Sequence, residues 1–160
     1  MRVRPDLRQA VAAQLAGETP PPPAEQLLGI RLVSSADGGA VFELEVAERH
    51  LSPTGAVHGG ILATLADGAM ATAVVSTLAP EETCLTLELK INFVRAVFAG
   101  TLVARGSTIA RTRTTGIAEC RVTDQDDRLV AHATSTLTIQ RRSRRPLADT
   151  ETQGAPDARA

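Results

Sequence analysis

A histidine, two glycines and a carboxylate fall within one stretch of the chain, Val57 to Ala79, VHGGILATLADGAMATAVVSTLA. His58 precedes Gly59 and Gly60, and Asp67 follows that histidine by nine residues as the only other ionisable group of the stretch. An aspartate can attack an electrophilic carbon or activate a water beside it. Main-chain amides at a helix N-terminus are unpaired within the helix and sit at the positive end of its dipole, so they suit a developing oxyanion. Glycine there lets the reacting group come close. Together these residue types describe chemistry at a carbonyl.

The element that must position them is a helix. Ile61, Leu62, Leu65, Ala66, Ala69, Met70, Ala73 and Val74 recur as pairs at helical period, while Thr64, Gly68, Ala71, Thr72, Val75 and Ser76 occupy the other side. No side carries the Lys and Glu fringe of a solvated helix, so the pattern predicts a long helix that is buried or that spans a membrane. Asp67 near its middle, several Thr and Ser, and the lack of basic or aromatic anchors at its ends argue against the membrane.

On either side the pattern is β. LLGIRLVSS (27–35) and AVFELEVA (40–47) flank the turn Ala36-Asp37-Gly38-Gly39, a hairpin signal. After Pro80, Leu85, Leu87, Leu89, Ile91 and Phe93 alternate with Thr86, Glu88, Lys90 and Asn92. Gly100 to Arg111, Thr115 to Thr123 and Arg128 to Ile139 read as three more strands of an antiparallel meander, with Ala104, Gly106, Ala110, Ala118, Cys120, Ala131 and Ala133 as a small-residue face for a helix to lie on. The expectation is an α+β domain in which a curved antiparallel sheet of about six strands wraps one long helix, the hotdog arrangement.

Composition bounds the rest. In 160 residues, 17 basic and 18 acidic side chains leave a net charge of −1, and three Phe with no Tyr or Trp leave little for base stacking, so neither nucleic acid nor an anionic membrane is implied as partner. Cys84 and Cys120 are isolated, with no metal-binding spacing and no signal-like segment ahead of them, which reads as buried thiols of a cytoplasmic protein. Residues 1–26 read as a flexible arm, the alternative being a docked short helix over 5–17 stopped by Gly17 and the proline run Pro20–Pro23; 27–141 read as the domain and 142–160 as a disordered polar tail. The RRSRR cluster at its start reads as a solvated end, the alternative being a nucleic-acid or phosphate patch.

The segment SPTGAVHGGILATLADGA resembles the signature of hotdog-fold acyl-CoA thioesterases of the phenylacetate-degradation (PaaI-like) branch, in which G-x-x-H-G-G opens the central helix and an Asp follows nine residues after the His. Here these are Gly55, His58, Gly59, Gly60 and Asp67, and the likeness runs on through TLELKINFVRAV to cover roughly Leu27 to Ile139. The resemblance implies hydrolysis of an acyl- or aryl-CoA thioester to free acid and CoA, with no metal and no cofactor beyond the CoA of the substrate. It makes Asp67 the nucleophile or general base, the Gly59 amide the group that polarises the thioester, and His58 a support for that loop, with Gly60 beside the substrate. Thr86 matches a Ser or Thr that aligns water. Six residues before the His the family pattern has Asn; here it is Ser52, which hydrogen-bonds over a shorter reach. The turn ARTRTT, Ala110 to Thr115, falls where relatives contact CoA, making Arg111, Arg113 and Thr114 candidate phosphate ligands, with Arg95 as another; otherwise it is an exposed basic hairpin. His50 and His132 receive no role.

Geometry adds a second subunit. Gly59 and Asp67 are eight residues apart, about 12 Å of helix, whereas one reacting carbon needs both groups within roughly 3–3.5 Å. If both act on it, they come from different copies of the chain. The expectation is a homodimer with two composite sites, and pairing of two dimers stays open. Two rival functions share the fold: a hydratase or dehydratase, for which no matching Asp and His pair is found, and a non-catalytic acyl-CoA-binding or regulatory module.

Overall fold

Helix α3, Gly59–Val75, runs through the centre of the computed structural model, which describes residues 6–141. Leu62, Leu65, Ala66, Ala69, Met70, Ala73, Val74 and Val75 are buried along it, close to the face expected from the periodicity. The helix is shorter at both ends than the apolar run. At its start Val57 leaves the helix to donate its N–H to Val97 O (2.8 Å). At its end Ser76 Oγ donates to Ala73 O and Thr77 Oγ1 to Val74 O, both at 2.7 Å, and the N–H groups of Thr77 and Leu78 tighten onto residues three back. Hydroxyls that return to the backbone in this way close a last turn rather than extend it.

Around α3 lies one six-stranded sheet, antiparallel throughout, in the order β1-β2-β4-β5-β6-β3. Its strands are β1 (Ile30–Ala36), β2 (Gly39–Glu45), β3 (Glu82–Phe93), β4 (Thr101–Arg111), β5 (Thr115–Thr123) and β6 (Leu129–Arg141). The β1–β2 turn takes positive φ at Asp37 (49°) and Gly38 (80°), the geometry that matches strand twist. The small-residue face is where the helix lies. A Cβ on Gly106 would sit 2.3 Å from Ala69 O, so helix and strand meet backbone to backbone there, and Ala104, Ala118, Cys120 and Ala131 are wholly buried around that contact. This is the hotdog fold.

Two bulges correct the strand faces read from alternation. In β4 the register shifts between Thr108 and Ala110, so Ala110 pairs with Ile117 on the outer face and is exposed, leaving the small-residue row. In β3 the shift falls between Thr86 and Glu88. Before it Cys84 and Thr86 stand opposite the buried Ile139 and Leu137; after it Leu89, Ile91 and Phe93 stand opposite Ser135, Ala133 and Ala131. The five apolar residues of β3 therefore do not share one face: Leu85 points outward at 59% exposure, and Leu87 (67%) is the extra residue.

Residues read as a loose arm contain two helices. In α1, Leu7–Leu15, Leu7 and Val11 lie one turn apart and pack against the core, and the Arg8 guanidinium donates to Leu78 O (3.2 Å). Pro23 opens α2, Pro23–Leu28, at a first-turn position that needs no N–H, and Gly29 (φ 72°) ends it. Leu27 and Leu28 thus belong to a helix and the strand begins at Ile30. The tail expected from 142 onward, including most of the RRSRR cluster, lies outside the described residues. No helix among those described is long and apolar enough to cross a membrane.

Candidate active site

The first turn of α3 leaves one amide open. His58 is its N-cap, and its Nδ1 accepts the Gly60 N–H at 2.9 Å. Ile61 and Leu62 donate to His58 O, at 2.9 and 3.3 Å. Of the first four amides of α3, only the Gly59 N–H is without an acceptor among the described residues. The expectation that Gly60 serves the substrate therefore meets a competitor in the same motif: the histidine engages the Gly60 amide and leaves its neighbour free. An Nδ1 that accepts places the ring proton on Nε2.

The loop before the helix is built to hold His58. Its own N–H donates to His50 O (2.8 Å), and His50 is wholly buried, its Nδ1 accepting from Ala47 N (3.0 Å) and its Nε2 lying 2.7 Å from Leu28 O. Both ring nitrogens are satisfied, so His50 is a pillar under the motif histidine. Sequence reasoning gave it no role; the one available signal was a polar ring eight residues ahead of His58, which says nothing of burial. Ser52 spends its hydroxyl inside the same loop, on Thr54 Oγ1 (2.8 Å) and Ala56 O (3.0 Å), and its carbonyl accepts from Gly55 at φ 80°. The structure thus gives Ser52 the part of tying a turn rather than that of a side chain extended toward the substrate.

Asp67 lies half-buried two turns along α3. Thr86 Oγ1 donates to its Oδ1 at 2.9 Å, a contact made possible by the β3 bulge, which turns Thr86 to the helix side. Among the described residues no donor reaches Oδ2, so one carboxylate oxygen is anchored and the other is available. Cys84, on the same side of β3 as Thr86, faces this carboxylate. Burial and then the Asp67 charge push its thiol up to about 11, which keeps it protonated and removes it as a rival nucleophile near neutral pH.

The candidate phosphate ligands are not gathered at one place. Arg111, the last residue of β4, pairs with Glu82, a buried carboxylate that also accepts from Ala79 N (2.8 Å), so its guanidinium ties the end of β4 to the start of β3. Arg113 and Thr114 are exposed at the β4–β5 turn, where Thr114 O accepts from Ile139 N (2.8 Å). That turn adjoins the C-terminal end of α3, since a Cβ on Gly116 would sit 2.9 Å from Val74 Cγ1. Arg95 lies instead beyond β3, by the other end of the helix, lining a shallow hollow of about 230 Å³ with Phe98, Gln125 and Arg128. The 17-residue helix between these two ends is about 25 Å long. A larger hollow, about 380 Å³ between Arg105, Arg121 and Asp127, lies on the outer sheet face, away from Asp67.

A helix cradled by a curved sheet, opening on one free amide and carrying one carboxylate, defines a class, and the sequence comparisons agree with it. A profile described as the thioesterase superfamily matches residues 54–131, from the loop before His58 to the start of β6. The chain is 29% identical to a 1,4-dihydroxy-2-naphthoyl-CoA hydrolase of Listeria monocytogenes over 118 residues, 74% of this chain and 96% of that one. It is 30% identical over 116 residues to ComA2 of Bacillus subtilis, an esterase by name, covering 71% and 91% of the two chains. Among solved structures, a phenylacetic acid degradation-related protein of Ralstonia eutropha superposes with a TM-score of 0.73 at 31% identity, over 80% of this chain and 98% of that one. The chain belongs to the thioesterase superfamily, a family of thioester hydrolases.

Proposed function

We propose that the protein hydrolyses acyl-CoA or aryl-CoA thioesters as a homodimer with two composite sites. Each site takes Asp67 from one copy and the open Gly59 amide from the other. The observation that carries this reading is that the single free amide and the carboxylate sit on one unbroken helix, eight residues apart, about 12 Å, so that they cannot meet on one carbonyl within a chain. The thioester oxygen accepts from the Gly59 amide. The free Oδ2 of Asp67 then either attacks the carbonyl carbon, giving a mixed anhydride that water hydrolyses, or takes a proton from a water that attacks it. In both routes the C–S bond breaks, the thiolate leaves and takes up a proton, and acid plus thiol result. Thr86 fixes which carboxylate oxygen faces the substrate. Arg113, Thr114 and Arg95 are the exposed groups left for the CoA phosphates, while Arg111 is held by Glu82. The naphthoyl-CoA relative supports an aryl thioester as one substrate class.

Release of free thiol from a panel of acyl- and aryl-CoA esters tests the activity. Tight binding without turnover would move the protein to the non-catalytic module. For the composite site, inactive Asp67→Asn chains are mixed with Gly59→Pro chains, which lack that N–H at a helix position where proline fits. The proline ring also presses on Phe93, which lies 3.0–3.4 Å from a Cβ at this position, but both changes fall in the same, already inactive, half of the hybrid. Hybrids should regain about half the native turnover, because one of their two sites is intact. No recovery despite confirmed subunit exchange would refute the composite arrangement.

A further inference from the structure

Phe93 closes β3 on its concave side, opposite the buried Ala131, yet it is 55% exposed. A Cβ built on Gly59 would lie 3.0 to 3.4 Å from Cζ, Cε2 and Cε1 of its ring. The ring therefore lies against the α carbon of the one residue in the first turn of α3 whose amide is open. Leu89 and Ile91 continue the same concave row and pack partly against the core. Single exposed apolar residues are ordinary on protein surfaces; a ring seated on the residue that carries the open donor is a more specific placement.

We propose that Phe93 is the acyl-contact residue of the site. Its ring forms the wall against which the apolar acyl or aryl part of the thioester lies while the carbonyl oxygen meets the Gly59 amide, an inference that rests on the thioesterase reading above. The apolar area that such a wall takes from water grows with the acyl group, and an aryl group gains offset or edge contacts with the ring besides. An acetyl group is too small to use it. The wall also gives Gly59 a steric reason to be glycine: any side chain there would press on the ring. Because the ring travels with Gly59, it serves the Asp67 of the other copy.

The test is binding of non-hydrolysable thioether analogues of acetyl-, hexanoyl- and benzoyl-CoA, followed by calorimetry for the native protein and Phe93→Ala, with kcat/KM for the matching esters and molecular mass by sedimentation. Phe93→Ala is expected to weaken the benzoyl and hexanoyl analogues by about 10- to 100-fold and the acetyl analogue by less than about 3-fold, at unchanged mass, with Phe93→Leu intermediate. Equal loss across the series, or none, would overturn the proposal. So would a Phe93→Ala chain that dissociates into monomers without a change in selectivity, since the ring would then be an interface residue. Native protein that binds none of the analogues would overturn it as well. Native protein that binds them with this selectivity and hydrolyses no ester would leave the Phe93 wall standing while the thioesterase reading fails. A hybrid of Asp67→Asn and Phe93→Ala chains gives a second readout: about half of native turnover with native acyl selectivity supports the pairing of Phe93 with Gly59 across the dimer. Turnover with the altered selectivity refutes it.

Discussion

The two flanks of α3 are built on different principles. Against β4 and β5 the helix is packed to backbone contact over Gly106, with Ala104, Ala118 and Cys120 wholly buried. Against β3 it meets a free sheet edge: Thr86 reaches Asp67, Phe93 rests on Gly59, and Leu85, Leu87, Phe93 and Val94 remain 55–67% exposed. The first flank supplies burial, the second keeps polar groups and open space along the same helix. A helix so firmly seated on one side can carry a half-buried carboxylate on the other without losing its place.

Substitutions should therefore separate activity from stability according to flank. The largest effect on turnover is expected from Asp67→Asn, which keeps an acceptor for Thr86 but removes the charge. Thioester hydrolysis should fall by about 10²–10⁴-fold, while urea denaturation shifts by less than about 1 kcal/mol. A comparable loss of stability would mean that Asp67 is a structural cap and that the flanks do not differ.

Gly106→Ala should do the reverse. Its new Cβ meets helix backbone rather than a flexible side chain, 2.3 Å from Ala69 O, so the strand or the helix must move. A loss of about 1–3 kcal/mol in chemical denaturation is expected, with activity lost only in proportion to unfolded protein. Unaltered stability would show that the close seat of α3 on β4 is not what holds the helix.

Thr86→Val removes one hydrogen bond to a carboxylate at nearly constant shape. A hydrogen bond to a charged group is worth about 1.5–3 kcal/mol, so turnover should drop by about 10- to 100-fold, and Thr86→Ser should retain most of it. Equal activity in all three proteins would reduce the Asp67–Thr86 contact to packing.

These contrasts also mark what could be read in the chain beforehand. The packed flank was legible, because α3 and strands β2, β5 and β6 obey their periods and a run of small residues announces a close helix. The site flank was legible only as a motif. Its geometry depends on a bulge at Leu87, and nothing in ETCLTLELKINF tells where a strand gains its extra residue; strict alternation puts Thr86 on the wet face, away from Asp67. The same holds at Ile109, where a bulge removes Ala110 from the small-residue row. Nor does the turn sequence reveal that Arg111 is held by Glu82, since the partner is distant in sequence and an acidic residue at a strand start is ordinary. Helix α1 falls within the short helix that residues 5–17 allowed, whereas α2 was masked by the proline run, whose meaning changes once Pro23 is seen as the first residue of a helix.

The smallest effect on turnover is expected at the two cysteines, and it compares the flanks directly. Cys84 stands beside Asp67 on the β3 flank and Cys120 lies under α3 on the other; burial raises both thiols, to about 11 and about 12. A folded pKa above that of the unfolded thiol, about 9, means that the thiolate is disfavoured by the fold, so the native state favours the thiol up to the unfolded value and progressively loses that advantage as pH climbs through the folded one. Alkylation by iodoacetamide at pH 8 should accordingly be slow at both in native protein and rapid in urea. As pH rises toward 11, Cys84 should react first, because it is only partly buried whereas Cys120 is wholly so. Cys84→Ala should keep turnover within about twofold, a surface-like change by size. Fast labelling of Cys84 at pH 8, coupled to loss of activity that Cys84→Ala also shows, would instead make the thiol a participant and transfer to β3 the chemistry assigned to Asp67.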